Sequence, residues 1–367
     1  MKILLIAGAR PNFMKIAPII RAIESKNDSN LKYKLVHTGQ HYDFNMSETF
    51  FKDLGIPKPD YSLNVGSGSH SDQTAKIMVA FEKVCLSEKP DVVIVVGDVN
   101  STLACSIVAK KLLIKVAHVE AGLRSFDLSM PEEINRMVTD SITDYFFITE
   151  RNGEENLLKE GKSPKVIYYV GHVMIDNLFY QRDKVIKAEP SSFSNYDLKE
   201  RLGKYIFMTL HRPSNVDEKQ KLLEITDALN SIAKETPIIF PVHPRTRKML
   251  DKVNIRLSEN IIELEPLGYR DALYLWKDSL CVFTDSGGLQ EETTGLGTPC
   301  FTIRENTERP VTVNEGTNTL IGASGKAILE AYRNIKNGKR KKGRIPELWD
   351  GRAAERIVEV LVSRRLT

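Results

Sequence analysis

Short, nearly continuous apolar runs recur along the chain, and each ends in a polar or glycine-containing turn followed by helical periodicity. KILLIAG (2–8) precedes a helical pattern from Lys15 to Ser25, and YKLVHTG (33–39) precedes an amphipathic stretch from Thr74 to Leu86. DVVIVVGD (91–98), a helix from Ser101 to Lys111, KVAHVEAG (115–122), a helix opening at Pro131, DYFFIT (144–149) and VIYYVG (166–171) continue the series. Strands that are apolar on both faces and alternate with helices predict a parallel sheet covered on both sides.

Between about Asp176 and Leu202 the strands stop and the chain turns polar (KAEPSSFSNYD). The alternation then restarts with YIFMTL (205–210), a helix near 222–234, PIIFPVH (237–243), NIIELE (260–265), LCVFTD (280–285) and PCFTI (299–303). The pattern predicts an α/β protein of two Rossmann-like, doubly wound domains facing a cleft. The predicted boundaries are 1–175 for the first domain, 176–202 for a linker, 203–350 for the second domain and 351–367 for a final helix. Ligands of such folds bind outside the carboxyl ends of the strands, so the residues that follow each strand are the ones to read.

Composition changes this picture little. At 367 residues the chain exceeds what one hydrophobic core usually supports, and its 41% apolar and 27% charged residues are ordinary for a soluble protein. The net charge of +4 suits an anionic small ligand and calls for no nucleic acid. The densest basic run, KNGKRKKGR (336–344), reads as a solvated loop. Four cysteines lie in or beside apolar segments without a CxxC pair, as expected of buried thiols in a reducing cytoplasm. No apolar run is long enough for a membrane span, and MKILLIAGARP reads as a first strand rather than a signal peptide.

Nucleotide signatures are incomplete. GKS at 161–163 has Asn156 where a P-loop needs glycine, and VGSGSH at 65–70 lacks a third glycine. The strand ends carry more. ARPNFMK follows the first strand with Arg10 and Lys15, Asp98 follows DVVIVVG, and Glu120 follows KVAHV. PEEINR opens the next helix with Glu132 and Arg136 four apart on one face. Each has a plain reading: Asp98 as a helix cap, Glu120 as a partner of Arg124, Glu132 as favourable charge at a helix start. Three carboxylates facing one cleft with two cations point further, to acid–base chemistry on an anionic substrate.

The second half places His211 after YIFMTL, His243 after PIIF, and TDSGGLQEE after LCVF. Ser286 with the amides of Gly287 and Gly288 fits a phosphate at a helix N-terminus, where a Cβ would hold the anion away. Glu292 lies too deep in that helix for phosphate and suits the vicinal hydroxyls of a ribose. Arg309 follows the last strand in TERP. No carboxylate pair for Mg²⁺ stands beside this stretch, so Arg10, His211, Arg309 and the helix dipole would have to neutralise a diphosphate.

GARPNFMK, TGQH, GDVNST, HVEAGLR, PEEINR, LHRP, PVHP, TDSGGLQEE and TERP, in this order and spacing, resemble the non-hydrolysing UDP-N-acetylglucosamine 2-epimerases over nearly the whole chain. The resemblance implies the two-domain GT-B-type fold with a final helix returning to the first domain, a homodimer, and neither metal nor other cofactor. It implies acid/base roles for Asp98, Glu120 and Glu132, a catalytic His211 near the diphosphate, and substrate-binding positions at Arg10, Lys15, Arg136, His243, Ser286, Gly287, Gly288, Glu292 and Arg309.

The implied reaction is interconversion of UDP-GlcNAc and UDP-ManNAc through elimination of UDP and its re-addition. Which carboxylate serves which face of carbon 2 stays open. Three departures bear on the sugar and on regulation by a second UDP-sugar. RPSN follows His211 where better-known bacterial members usually carry an arginine–glutamate pair, Val311 follows TERP, and TGQH continues YDFNMSE. A UDP-diacetamido uronic acid or UDP-acetamido deoxysugar is the alternative substrate. A retaining glycosyltransferase, a UDP-sugar sensor and a hydrolysing relative are the alternative activities.

Overall fold

A computed structural model of the chain describes residues 1–40 and 48–363. His41 of the TGQH motif and Tyr42 to Ser47 of the run after it lie outside the described residues.

Among the described residues the chain forms two parallel sheets and divides into two compact units, residues 1–179 with 347–367 and residues 180–346. In the first unit the strands are β1 (Lys2–Ala7), β2 (Lys32–His37), β3 (Tyr61–Ser62), β4 (Val92–Val96), β5 (Lys115–Val119), β6 (Tyr145–Ile148) and β7 (Ile167–Tyr169). They lie in the order β3-β2-β1-β4-β5-β6-β7. All five residues of β4 are buried, as are four of five in β5 and all four in β6. Helices on both faces account for the two-sided apolar runs in the sequence.

The strand order reverses between β1 and β4, which pair in register from Ile3–Val92 to Leu5–Ile94. A crevice at the carboxyl ends of such a pair is where doubly wound sheets bind ligands. The helix Arg10–Ser25 leaves β1 on one side of it, and the helix Asn100–Lys111 leaves β4 on the other. The first begins five residues before the predicted Lys15, because Asn12 Oδ1 accepts the Gly8 and Ala9 amides at 3.1 and 2.9 Å. Pro11 sits in that first turn, where a missing amide costs nothing.

The second unit contains β8 (Ile206–Thr209), β9 (Ile238–Pro241), β10 (Ile261–Leu264), β11 (Val282–Thr284), β12 (Cys300–Thr302) and β13 (Asn318–Leu320), in the order β10-β9-β8-β11-β12-β13. The switch point here lies between β8 and β11, paired from Val282–Phe207 to Thr284–Thr209. One core cluster runs from Ile206 and Met208 through Leu229 and Ile232 to Phe283 and Ile328.

The polar stretch expected as a linker is helical in large part. One helix spans Val173–Lys187, through the point where the units part, and a short one spans Tyr196–Leu202. The final helix, Ala353–Ser363, packs on Arg10–Ser25 of the first unit. Asp176 accepts the Ala353 and Ala354 amides at 3.1 and 2.7 Å, satisfying donors that a helix start otherwise leaves open. The Trp349 indole donates to the Thr149 carbonyl at 3.1 Å.

Candidate active site

In the first unit, Lys15, Asp98, Glu120 and Arg136 come together where β4 and β5 end. Lys15, in the second turn of its helix, places Nζ 2.7 Å from Glu120 Oε2, and both side chains are largely buried. Glu120 adopts a left-handed backbone, φ 73°, immediately after β5. Arg124, the partner that the plain reading offered Glu120, instead binds Asp140 and Glu160, each at 2.8 Å.

Asp98 follows β4 and Gly97. It does not cap the helix Asn100–Lys111, whose N-cap is Val99. Its Oδ2 accepts from Arg136 Nη1 at 2.5 Å, and a third of the side chain is exposed. Arg136 is buried and is held from its other side by Glu133 Oε2, 2.9 Å from Nε and 2.5 Å from Nη2. Its partner on its own helix is thus Glu133, three residues back, and not Glu132 on the face four residues back.

Burial alone would raise the Glu133 carboxyl. The Ser125 and Phe126 amides, donating at 3.0 and 2.9 Å, outweigh it together with Arg136 and hold the group below the usual range. Glu132 lies exposed in the first turn of Pro131–Ile142. Arg10 is half-buried with its guanidinium 5.2 Å from the Phe50 ring centroid. Side-chain amides bond to one another beside the Asp98 backbone. Asn135 Nδ2 donates to the Asp98 carbonyl at 2.9 Å, and Asn100 Nδ2 to Gln73 Oε1 at 2.8 Å.

The second unit organises its groups around Asp285, which ends TD of TDSGG and is fully buried. Its carboxylate accepts the His211 amide at 3.0 Å, the Arg212 amide at 2.8 Å and Asn215 Nδ2 at 3.2 Å. His211 Nδ1 stands 3.1 Å from Asp285 Oδ1. Burial would raise the Asp285 carboxyl, but these donors bring it below its ordinary value. The β11 carboxylate therefore fixes the β8 histidine across the switch point. The His243 ring lies 5.5 Å from that of His211, and burial followed by repulsion from His211 and Arg245 lowers its basicity.

Ser286 is the N-cap of the helix Gly287–Leu296, and its side chain makes no capping bond there. A Cβ on Gly287 would come 2.7 Å from Glu308 Oε1, so a larger residue there would have to displace the end of the Glu308 side chain, while at Gly288 the space is open. Arg304 Nη2 donates to Glu308 at 2.7 Å, and Arg212 Nη2 lies 3.6 Å from it. Against the effect of burial, Arg304 first and then the residue's own backbone amide and Arg309 push the Glu308 carboxyl down to about 2.

Deeper in the helix, Glu291 Oε1 meets Arg309 Nε at 2.6 Å, and Glu292 Oε1 accepts from the Tyr269 hydroxyl at 2.8 Å. Burial pushes Glu292 up to about 7, with the nearby Glu291 adding to it and the tyrosine bond opposing it.

Asp285 and Glu133 bind candidate residues and Arg212 bonds to Asp285; none of the three was named from sequence. Asp285 and Arg212 could have been, since each adjoins a named residue directly after a strand. Glu133 needed the helix register.

A family model described as UDP-N-acetylglucosamine 2-epimerase matches residues 23–362. The chain belongs to this family. It is 42% identical over 372 residues to the UDP-N-acetylglucosamine 2-epimerase of Methanocaldococcus jannaschii, covering 98% of this chain and 99% of that one. It is 41% identical over 365 residues to the UDP-2,3-diacetamido-2,3-dideoxy-D-glucuronate 2-epimerase of Pseudomonas aeruginosa, covering 98% and 99%. The crystal structure of the Methanocaldococcus jannaschii epimerase in complex with UDP-GlcNAc and UDP superposes with a TM-score of 0.85 at 42% identity, covering 99% of this chain and all of that one. This epimerase family member is an isomerase with two parallel α/β units, as its strand pattern and motifs led us to expect.

Proposed function

We propose that the protein interconverts UDP-GlcNAc and UDP-ManNAc. The carrying observation is the placement of Asp98 and Glu120 on neighbouring strand ends, each paired with its own cation, Arg136 and Lys15. The carbon-2 proton of a UDP-N-acetyl sugar has no adjacent carbonyl to acidify it. Elimination makes its removal feasible: the C–H electron pair becomes the carbon 1–carbon 2 double bond, and the carbon 1–oxygen pair leaves with UDP. Re-addition of UDP to the 2-acetamidoglucal, with a proton delivered to the other face, inverts carbon 2. Two faces need two proton-transfer groups, for which Asp98, Glu120 and Glu132 are the candidates.

The second unit fits the role of holding UDP. The amides at the start of Gly287–Leu296, the Ser286 hydroxyl, His211, His243, Arg212 and Arg309 supply donors and positive charge for a departing diphosphate. Glu292, held by Tyr269, suits the ribose hydroxyls.

The reading carries a homodimer and a cytoplasmic location. Phe126, Leu128 and, on the helix Pro131–Ile142, Ile134, Met137 and Val138 leave apolar surface exposed, which supports burial against a second copy. No helix among the described residues is long and apolar enough to cross a membrane, and the four cysteines are free and buried.

The Pseudomonas aeruginosa relative at 41% identity favours a diacetamido uronic acid as the second reading for the sugar. NMR of products from a panel of UDP-N-acetyl sugars decides between them. A UDP-ManNAc signal growing from UDP-GlcNAc supports the first reading. Turnover of the uronic acid alone supports the second, and free ManNAc would show a hydrolase instead.

A further inference from the structure

His118 occupies the fourth position of β5 and has no exposed surface. Both of its ring nitrogens are engaged. Nε2 stands 2.8 Å from the Gly97 carbonyl oxygen, and Nδ1 stands 2.7 Å from Asp140 Oδ1. Asp140 is equally buried. Its second oxygen accepts the Gly122 amide at 3.0 Å and Arg124 Nη1 at 2.8 Å. Burial would raise the Asp140 carboxyl, yet His118, Arg124 and the Gly122 amide together hold it below the ordinary range. Both atoms facing the imidazole are therefore acceptors, and both bonds form only when both ring nitrogens carry hydrogen.

The network has a direction. The ring bonds to the turn after β4, where Gly97 has φ 67°, and Asp98 is the next residue. Through Asp140 it also grips the turn after β5, where Gly122 lies two residues beyond Glu120. One imidazole and one carboxylate thus tie together the two turns that carry the candidate acid/base groups. Core packing alone gives no reason for this arrangement, since apolar residues of similar volume replace many buried charge networks at no cost in stability.

We infer that His118 is a positioning residue of the epimerase reaction: by holding the Gly97 carbonyl, it sets where Asp98 stands relative to Glu120. This rests on the epimerase reading above. A misplacement near 1 Å at a reacting group costs on the order of 100-fold in rate. The effect belongs in kcat, because the ring touches neither the diphosphate site nor the surface.

Two variants separate the bonds. His118→Asn keeps a donor near the Nδ1 position for Asp140 and loses the one for Gly97. His118→Gln reaches the Nε2 position and keeps the Gly97 bond. Both are measured for UDP-GlcNAc turnover, KM and cooperative melting. The expected result is a kcat about 100-fold below wild type for His118→Asn with KM within threefold, and recovery of at least tenfold in His118→Gln. A His118→Asn kcat within threefold of wild type, an equal loss in both variants, or a loss confined to KM overturns the inference.

A readout independent of activity accompanies these. In ¹⁵N-histidine-labelled wild type, with the signal assigned by its absence from His118→Gln, both ring nitrogens of His118 carry slowly exchanging protons. A bare nitrogen overturns the inference whatever the enzyme turns over. Failure of the wild type to act on any UDP-N-acetyl sugar defeats the epimerase reading, and with it the role in that reaction.

Discussion

The Lys15 ammonium meets the Glu120 carboxylate at 2.7 Å, joining the helix that leaves β1 to the residue that follows β5. The two are 105 residues apart in sequence and nearly closed to solvent. Removing one member of a buried pair leaves a desolvated charge behind, which costs roughly 3 kcal/mol. Lys15→Met should therefore lower unfolding stability by about that amount in urea titrations, and Glu120→Gln by less, because the Lys15 ammonium it leaves behind is the more exposed of the two and the new amide oxygen can still accept from it. Both should remove epimerase turnover, whereas a protein that only binds UDP would keep its affinity in both.

Asp285→Asn tests the second unit. The carboxylate accepts two main-chain amides and one side-chain amide while facing His211 Nδ1. An asparagine turns one of those acceptors into a donor. We expect kcat to fall roughly 100-fold through loss of His211 orientation, the scale of a single proton-transfer group. UDP affinity by calorimetry should change only a few-fold.

Glu292 sets a pH dependence of one sign. Its folded-state pKa is raised from 4.5 to about 7 by burial first. The folded protein thus binds this proton more tightly than the unfolded chain, and above pH 7 the ionised group disfavours the fold. The penalty is relieved as pH falls through 7 and is gone below 4.5. Glu292→Gln should gain stability over wild type as pH rises from 5 to 8, by roughly 3 kcal/mol at most. Melting temperatures of the pair across that range check it; parallel curves would contradict the assignment.

Glu308 has the opposite sign. Its carboxyl is pushed from 4.5 to about 2 against the effect of burial, chiefly by Arg304. The stabilisation is present above pH 4.5 and is lost as pH falls through 2. Glu308→Gln should be less stable than wild type at pH 6 by up to roughly 3 kcal/mol. The difference should vanish toward pH 2, as acid-unfolding curves of the two proteins would show.

Much of the fold was legible because buried parallel strands leave a signal that local propensity does not obscure. All five residues of VVIVV (92–96) are apolar since both faces of β4 are covered. Strands β3 and β13, two and three residues long, were not read, being too short to show a period. The helix through Val173–Lys187 was read in part as a linker because its exposed charges mask the apolar side.

At the site, positions directly after strands were readable and partners were not. Asp98 and Glu120 follow their strands at a glance, but pairing Asp98 with Arg136 requires β4 and a helix 38 residues on to meet. The spacing that set Glu132 and Arg136 on one face admits Glu133 as a neighbour of Arg136 equally, and the buried Glu133 is the one that pairs with it.

The proposed reaction requires carbon 2 of a UDP-N-acetyl sugar to lose and regain its proton on this protein. The direct measurement is incubation with UDP-GlcNAc in D₂O, followed by mass and NMR analysis of the recovered nucleotide sugars. Elimination and re-addition predict deuterium at carbon 2 in both UDP-GlcNAc and UDP-ManNAc, abolished in the Asp98→Asn and Glu120→Gln variants. Unlabelled carbon 2 across the panel of UDP-N-acetyl sugars, or sugar transfer to an acceptor that survives in Asp98→Asn, would contradict it.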